Sequence, residues 1–331
     1  MLKHFQTLVE SFDSSALRGN PAGDPSEREV AVVLPRAAPP EARFPVLIVL
    51  AGFTSTGLMA LNRRAWLPTF PEQLDRLRDR GAIGDMIAVL PDAFTIYGGS
   101  QYLNSTATGR YQDMLADDLV AWVDRRFPTH AAARHRAVAG KSSGGFGALS
   151  LAMDRPGLVS AVACHSGDMY FDYCYLNDFP RLLAQLDRHG GLEKFIDSFL
   201  AAPKKPSEQI LAMSIVAMTA AYSPNPEKPR RLDLPFDPRT GEVLPEVWQR
   251  WLERDPVRRV EAAAGALRSL RLLYLDCGSR DQFQLHLGLR ILRQRLTRLG
   301  IPHQAEEFDD DHTDTGYRWE VSLPKLWEAI R

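Results

Sequence analysis

Apolar residues fall along this chain in two rhythms. Short runs, most of them apolar almost without interruption, read "REVAVVLP", "PVLIVLAG", "MIAVLPD", "RAVAG", "VSAVACHSG", "LRLLYLDCG" and the more polar "HQAEEFDD". Longer stretches lie between them with apolar positions at helical spacing: "FPEQLDRLRDRG", "MLADDLVAWVDRRF", "GGFGALSLAM" and "FQLHLGLRILRQRLTRLG". Continuous apolar runs predict parallel strands covered on both faces rather than strands with one wet side. Their alternation with helices predicts an α/β architecture, a doubly wound and mostly parallel central sheet with helices on both faces.

The rhythm breaks between about Phe171 and Leu267. That stretch offers no clear strand, only helical segments such as "LLAQLDRHGGLEKFIDSFLAA" and "SEQILAMSIVAMTAAY", followed by the proline-rich "SPNPEKPRRLDLPFDPRTGEVLPEVWQRW". It is too long for an ordinary connection between neighbouring strands. The expected organisation is a catalytic domain made of residues 1–170 and 268–331, with residues 171–267 inserted as a helical cap over the strand ends. The apolar positions Ile210, Leu211, Ile215, Val216 and Met218 are expected mostly to pack the cap onto the body, and the cap to roof the pocket.

Composition narrows the partners. The 331 residues carry 40 Lys and Arg against 41 Asp and Glu, for a net charge of −1, so there is no basic footprint for nucleic acid. No apolar run reaches membrane-spanning length, and the start lacks a signal-peptide core. The three cysteines, Cys164, Cys174 and Cys277, are an odd number without metal-type pairing, which fits a reducing cytoplasm. A small-molecule partner is expected, with no nucleic acid and no membrane; association into a homo-oligomer stays open.

Candidate chemistry centres on "VAGKSSGGFG", residues 138–147. Gly140-Lys141-Ser142 resembles the end of a phosphate-binding P-loop, but that loop needs a glycine where His135 stands. The same residues form a G-x-S-x-G turn between a strand and a helix, the nucleophile elbow of an α/β-hydrolase fold, which makes Ser142 the nucleophile. Ser143 is the nearest rival, and its flanking residues give the wrong register. A serine needs a base, and the base needs a carboxylate, in the chain order serine, acid, histidine. After Ser142, the loop "DCGSRDQF" offers Asp276 and Asp281, and "DDDHTDTGYRW" offers His312. Asp276 still belongs to the strand end and is expected to brace the turn, so Asp281 is favoured. His165 ends a strand and could line the pocket, His286 lies in a helix, and His303 precedes a strand; His312 is favoured over all three. Consecutive residues Asp309 to His312 do not converge easily on one ion, so neither metal nor cofactor is expected. The oxyanion hole is assigned to the N–H of Ser143 and, in the loop after "PVLIVL", the N–H of Phe53.

In this order "AGFTSTG", "GGSQYLNS", "GKSSGGFGAL", "DCGSRDQF" and "DDDHTDTGYRW" resemble the putative-esterase family of α/β hydrolases, which includes S-formylglutathione hydrolase (esterase D), feruloyl esterases, the antigen 85 mycolyltransferases and enterochelin esterase-like proteins. The resemblance covers nearly the whole chain outside the cap. It implies that Asp281, the second aspartate of D-x-G-x-x-D-x-F, is the catalytic acid. Ser143 stands where the family usually has methionine, and Ala51 where a histidine often precedes the oxyanion glycine. In relatives, loops similar to residues 97–105 border the acyl pocket, so Tyr102 and Asn104 are candidate substrate contacts, with a purely structural role equally open. The expected activity is cofactor-independent hydrolysis of short-acyl esters through an acyl-enzyme. Acyl transfer, S-formylglutathione hydrolysis and a non-catalytic binding protein are the rivals.

Overall fold

In the computed structural model, which describes residues 2–331, eight strands form one sheet: β1 (Phe5–Asp13), β2 (Glu27–Pro35), β3 (Val46–Leu50), β4 (Ile87–Pro91), β5 (Arg136–Lys141), β6 (Ala161–His165), β7 (Leu272–Gly278) and β8 (Gln304–Phe308). They lie side by side in the order β1-β2-β4-β3-β5-β6-β7-β8. β2 runs antiparallel to β1 and to β4, and the other neighbours are parallel. β3 to β7 are buried along almost their whole length, which explains their unbroken apolar runs. β1 escapes the sequence pattern because it is an edge strand in which only Phe5 and Phe12 are buried, so no apolar run marks it.

Helices cover both faces. On one side, α1 (Phe70–Asp79) and the C-terminal α8 (Trp319–Ile330) pack Phe70, Leu74, Leu323 and Leu326 on Ala137, Ala139, Ala161, Ala163 and Tyr274. Thr69 caps α1 in a reciprocal box with Glu72. On the other side, α2 (Ser143–Asp154) and α7 (Leu285–Arg298) cover Val138, Val162, Cys164, Leu273 and Leu275. The predicted helix in "MLADDLVAWVDRRF" is present but is π-helical over Met114–Leu119.

Between β6 and β7 the chain forms helices and turns and adds no strand to the sheet: α3 (Phe179–His189), α4 (Leu192–Ala201), α5 (Ser207–Tyr222), α6 (Pro245–Leu252) and shorter pieces. α3 and α4 divide at Gly190 and Gly191, whose φ angles of 76° and 115° end one helix and begin the next. The inserted segment has no core of its own. Phe146 of α2 lies 6.0 Å from Phe171 and 5.8 Å from Tyr222, and the cluster continues through Tyr175 and Trp251. Asp255, fully buried, accepts from the N–H groups of Tyr170 and Phe171 at 3.0 and 3.1 Å and pins the point where the insertion begins.

Candidate active site

The site is built at the carboxyl ends of β3, β5, β6, β7 and β8. Ser142 follows β5 and precedes α2 with φ 56° and ψ −126°, a strained conformation for a non-glycine residue. The turn closes because its glycines lack side chains: a Cβ on Gly140 would come within 2.3 Å of Gly144, and one on Gly144 within 2.1 Å of the Leu50 carbonyl. That second approach also brings the end of β3, and the loop after it, against the elbow. Gly52 is close enough that a Cβ would stand 3.6 Å from that of Ser142.

The structure brings Asp281 and His312 together. His312 Nδ1 lies 2.7 Å from Asp281 Oδ2, and the other carboxylate oxygen accepts from the Phe283 N–H at 2.9 Å. Asp281 is 1% exposed, so its two oxygens are oriented by the protein rather than by water. The His312 backbone N–H donates to the Gln282 side chain at 3.0 Å, and the Phe283 ring meets the imidazole edge-on at 4.8 Å. Phe283 also lines a cavity of about 90 Å³ that contains Ser142. His312 therefore stands at the border of the cavity that holds the serine.

Phe53 and Ser143 line the same cavity. Among the described residues the N–H of neither donates to a backbone carbonyl. Ser143 is the first residue of α2, where amides have no partner within the helix. The loop of Phe53 is held by the 97–105 segment: Thr54 N–H donates to the Gly98 carbonyl at 2.9 Å, and the Phe53 ring lies where side chains on Gly98 or Gly99 would stand.

Neither Tyr102 nor Asn104 lines this cavity, which corrects the expectation of substrate contact. Tyr102 is buried, donates its hydroxyl to the Ala51 carbonyl at 2.6 Å and fills the space beside Gly147. It braces the loop that carries Phe53. Asn104 sits in a two-residue ribbon and exchanges hydrogen bonds with Asp113 at 2.7 and 3.1 Å, outside the cavity.

His165 is also placed differently from a pocket-lining residue. Along β6 it shares a face with Ala161 and Ala163, which pack under α1 and α8. Its Nδ1 lies 2.7 Å from Asp276 Oδ1 and its Nε2 2.9 Å from Ser322 Oγ of α8. Asp276 thus serves the interior.

Sequence reasoning missed much of the cavity wall. The inserted segment contributes Cys174, Tyr175, Asp178, Ile210, Leu211, Ser214 and Met218, and the β6 end contributes Asp168. Of the five apolar positions noted in the sequence, Ile215 and Val216 pack in the core, whereas Ile210, Leu211 and Met218 reach the cavity. Asp168 could have been marked by its position just past a strand end on this face. A larger cleft of about 570 Å³ lies beyond Gly52, lined by Lys141, Arg63 and Arg64 among others; it does not contain Ser142.

The family model described as "Putative esterase" matches residues 25–328. The chain belongs to this esterase family. Its fold is that of the α/β hydrolases, and the resemblance read from the motifs holds across the insertion as well. Similar solved structures include a ferulic acid esterase (19% identity, TM-score 0.63, 98% of this chain and 99% of that one) and S-formylglutathione hydrolases from Staphylococcus aureus (14%, 0.60, 99% and 100%) and Agrobacterium tumefaciens (17%, 0.59, 99% and 96%). No curated protein matches the chain in sequence. At these identities the structural likeness bears on the fold, and the site rests on its own geometry.

Proposed function

We propose that this esterase cleaves short-acyl carboxylic esters through an acyl-enzyme on Ser142. His312 takes the hydroxyl proton as Ser142 attacks the ester carbonyl, and Asp281 holds the imidazole with Nδ1 protonated so that Nε2 is the basic nitrogen. The N–H groups of Phe53 and Ser143 hold the oxyanion of the tetrahedral intermediate, each worth roughly 10²–10³ in rate at a comparable site. His312 then returns the proton to the leaving alcohol, and water, activated by the same imidazole, releases the acid. The observation that carries this reading is the buried His312–Asp281 pair at the border of the one cavity that also contains the strained Ser142.

Residues 171–267 act in this reading as a fixed cap. They supply seven of the twelve residues around the cavity and share the core of the body, so the roof is part of the packed fold rather than a free lid. A space of about 90 Å³ limits the acyl group to a few carbons. Each added methylene gains only about 0.8 kcal/mol until the wall is met, after which turnover falls. Its three cysteines are buried free thiols, which suits a reducing compartment such as the cytoplasm.

A p-nitrophenyl ester series of graded acyl length tests the reading. kcat/KM is expected to peak at short chains and fall steeply for long ones, with a fluorophosphonate probe labelling Ser142. Efficient hydrolysis of emulsified long-chain triacylglycerol would show that the cap opens as a lipase lid.

A further inference from the structure

The cavity beside Ser142 holds a carboxyl group that the proposed reaction does not use. Asp168 follows β6, is 6% exposed and lines the cavity next to Ser143. Its Oδ2 accepts from Gln101 Nε2 at 2.9 Å, from the Tyr175 hydroxyl at 2.8 Å and, more weakly, from Ser143 Oγ at 3.5 Å. Tyr222 extends the network, 2.8 Å from Gln101 and 3.1 Å from Tyr175. All of these groups are neutral, and Gln101, Tyr175 and Ser143 all meet the same Asp168 oxygen. Oδ1 receives no hydrogen bond among the described residues.

A buried carboxyl served on one oxygen by neutral donors is an expensive group to keep unless its other oxygen has work to do. Burial pushes the Asp168 carboxyl above the usual aspartate range, with the hydrogen bonds from Gln101 and Tyr175 opposing that rise. Of the charges nearby, His312 at the border of the cavity works against that rise and Asp281 adds to it. The cavity is lined by a second carboxyl, Asp178, and by no lysine, arginine or histidine. Asp178 already pairs with Arg181 at 2.7 Å, which leaves Asp168 as the polar wall without a charged partner. The other walls are apolar or weakly polar: Phe53, Ile210, Leu211, Met218, Phe283 and the Ser214 hydroxyl.

We infer that Asp168 is a specificity-determining residue whose free Oδ1 accepts a hydrogen bond from a hydroxyl or ammonium group on the acyl half of the substrate. This inference rests on the acyl-enzyme reading for the placement of the acyl group. Asp168 touches Ser143, the residue directly after the nucleophile, so the donor sits on a carbon close to the scissile carbonyl. A cavity of about 90 Å³ agrees with so short a reach. The substrate class is therefore esters of small hydroxy- or amino-acids, and an acyl group that ends in a carboxylate meets no donor at Asp168.

An isosteric series separates these chemistries: ethyl butyrate, ethyl 3-hydroxypropanoate, ethyl β-alaninate and monoethyl malonate, which place a methyl, a hydroxyl, an ammonium or a carboxylate at about the same distance from the carbonyl. The hydroxyl or the ammonium ester, or both, should exceed ethyl butyrate in kcat/KM by roughly 10- to 100-fold, because the apolar isostere offers Oδ1 no donor and displaces water from it. Which of the two leads tells a neutral donor from a cationic one. Monoethyl malonate should be the poorest. Asp168→Asn can keep its oxygen toward Gln101 and Tyr175 while presenting an amide donor to the cavity, so the ratio of kcat/KM on the donor esters to that on ethyl butyrate should collapse toward one. Equal rates on butyrate and both donor esters, or a preference that survives Asp168→Asn, would overturn the inference. Calorimetric binding of the same esters to Ser142→Ala reads the ranking without turnover. Selective binding with no hydrolysis by the wild-type protein would sink the acyl-enzyme reading and leave the donor pocket standing; turnover without selectivity would do the reverse.

Discussion

The His312–Asp281 and His165–Asp276 pairs are both joined through Nδ1 at 2.7 Å, and both aspartates are buried. Each pair lies at the carboxyl end of the sheet, and the second even has a serine hydroxyl 2.9 Å from the far ring nitrogen. The two differ in what closes around them. Ser322 is fully buried within α8, and Asp276 also accepts from the Tyr274 hydroxyl and Arg318 Nε, each at 3.0 Å. Every polar atom of that interior pair has a partner, so Ser322–His165–Asp276 is a tie between α8 and the sheet. At His312 only Nδ1 is tied among the described residues, and the ring packs on Phe283, which lines the Ser142 cavity. A histidine and an aspartate in contact thus make a catalytic pair only where the remaining nitrogen has access to an activated serine and a substrate.

Exchanging the serines gives the largest contrast. Ser142→Ala should lower kcat by about 10⁴–10⁶ with an unchanged melting temperature, since a small residue stays at the elbow. Loss of activity from Ser322→Ala instead would place the chemistry at the interior pair. The aspartates sharpen the same comparison. Asp281→Asn should reduce kcat by about 10⁴ through the wrong tautomer of His312, with little effect on melting.

Asp276→Asn should leave kcat within a few-fold and cost about 3 kcal/mol, because Arg318 and His165 lose a buried partner. Burial works to raise the Asp276 pKa, but the charges and hydrogen bonds of His165 and Arg318 outweigh it and hold the carboxyl below the usual range. Its stabilisation is therefore present above the unfolded value near 3.9 and lost as pH falls through the lower folded one. Thermal melting across pH 2 to 5 should show a shallower acid loss in Asp276→Asn than in the wild type. Ser322→Ala is the smallest change, about 1 kcal/mol of stability for one buried hydrogen bond, with full activity. Stability lost at Asp281 and kcat lost at Asp276 would reverse the assignment of the two pairs.

The sequence by itself determined the elbow, the chain order and most of the sheet. Gly140 and Gly144 mark the turn because close backbone approach admits no side chain there, and β3 to β7 announce themselves because strands covered on both faces must be apolar throughout. His165, open to a pocket-lining reading from its place at a strand end, has a parity with Ala161 and Ala163 that sends it to the opposite face from Val162 and Cys164. Strand β1 was not legible, because an edge strand with two buried residues carries too little pattern. Only the tertiary structure decided that Tyr102 braces the Ala51 carbonyl, that α5 offers Ile210, Leu211 and Met218 to the cavity while burying Ile215 and Val216, and that Asp168 meets Gln101, Tyr175 and Ser143 through a single oxygen. Those outcomes depend on contacts between segments tens of residues apart. Local spacing fixes which way a side chain leaves its own strand or helix, and the element packed opposite decides whether it meets a partner, a wall or a substrate.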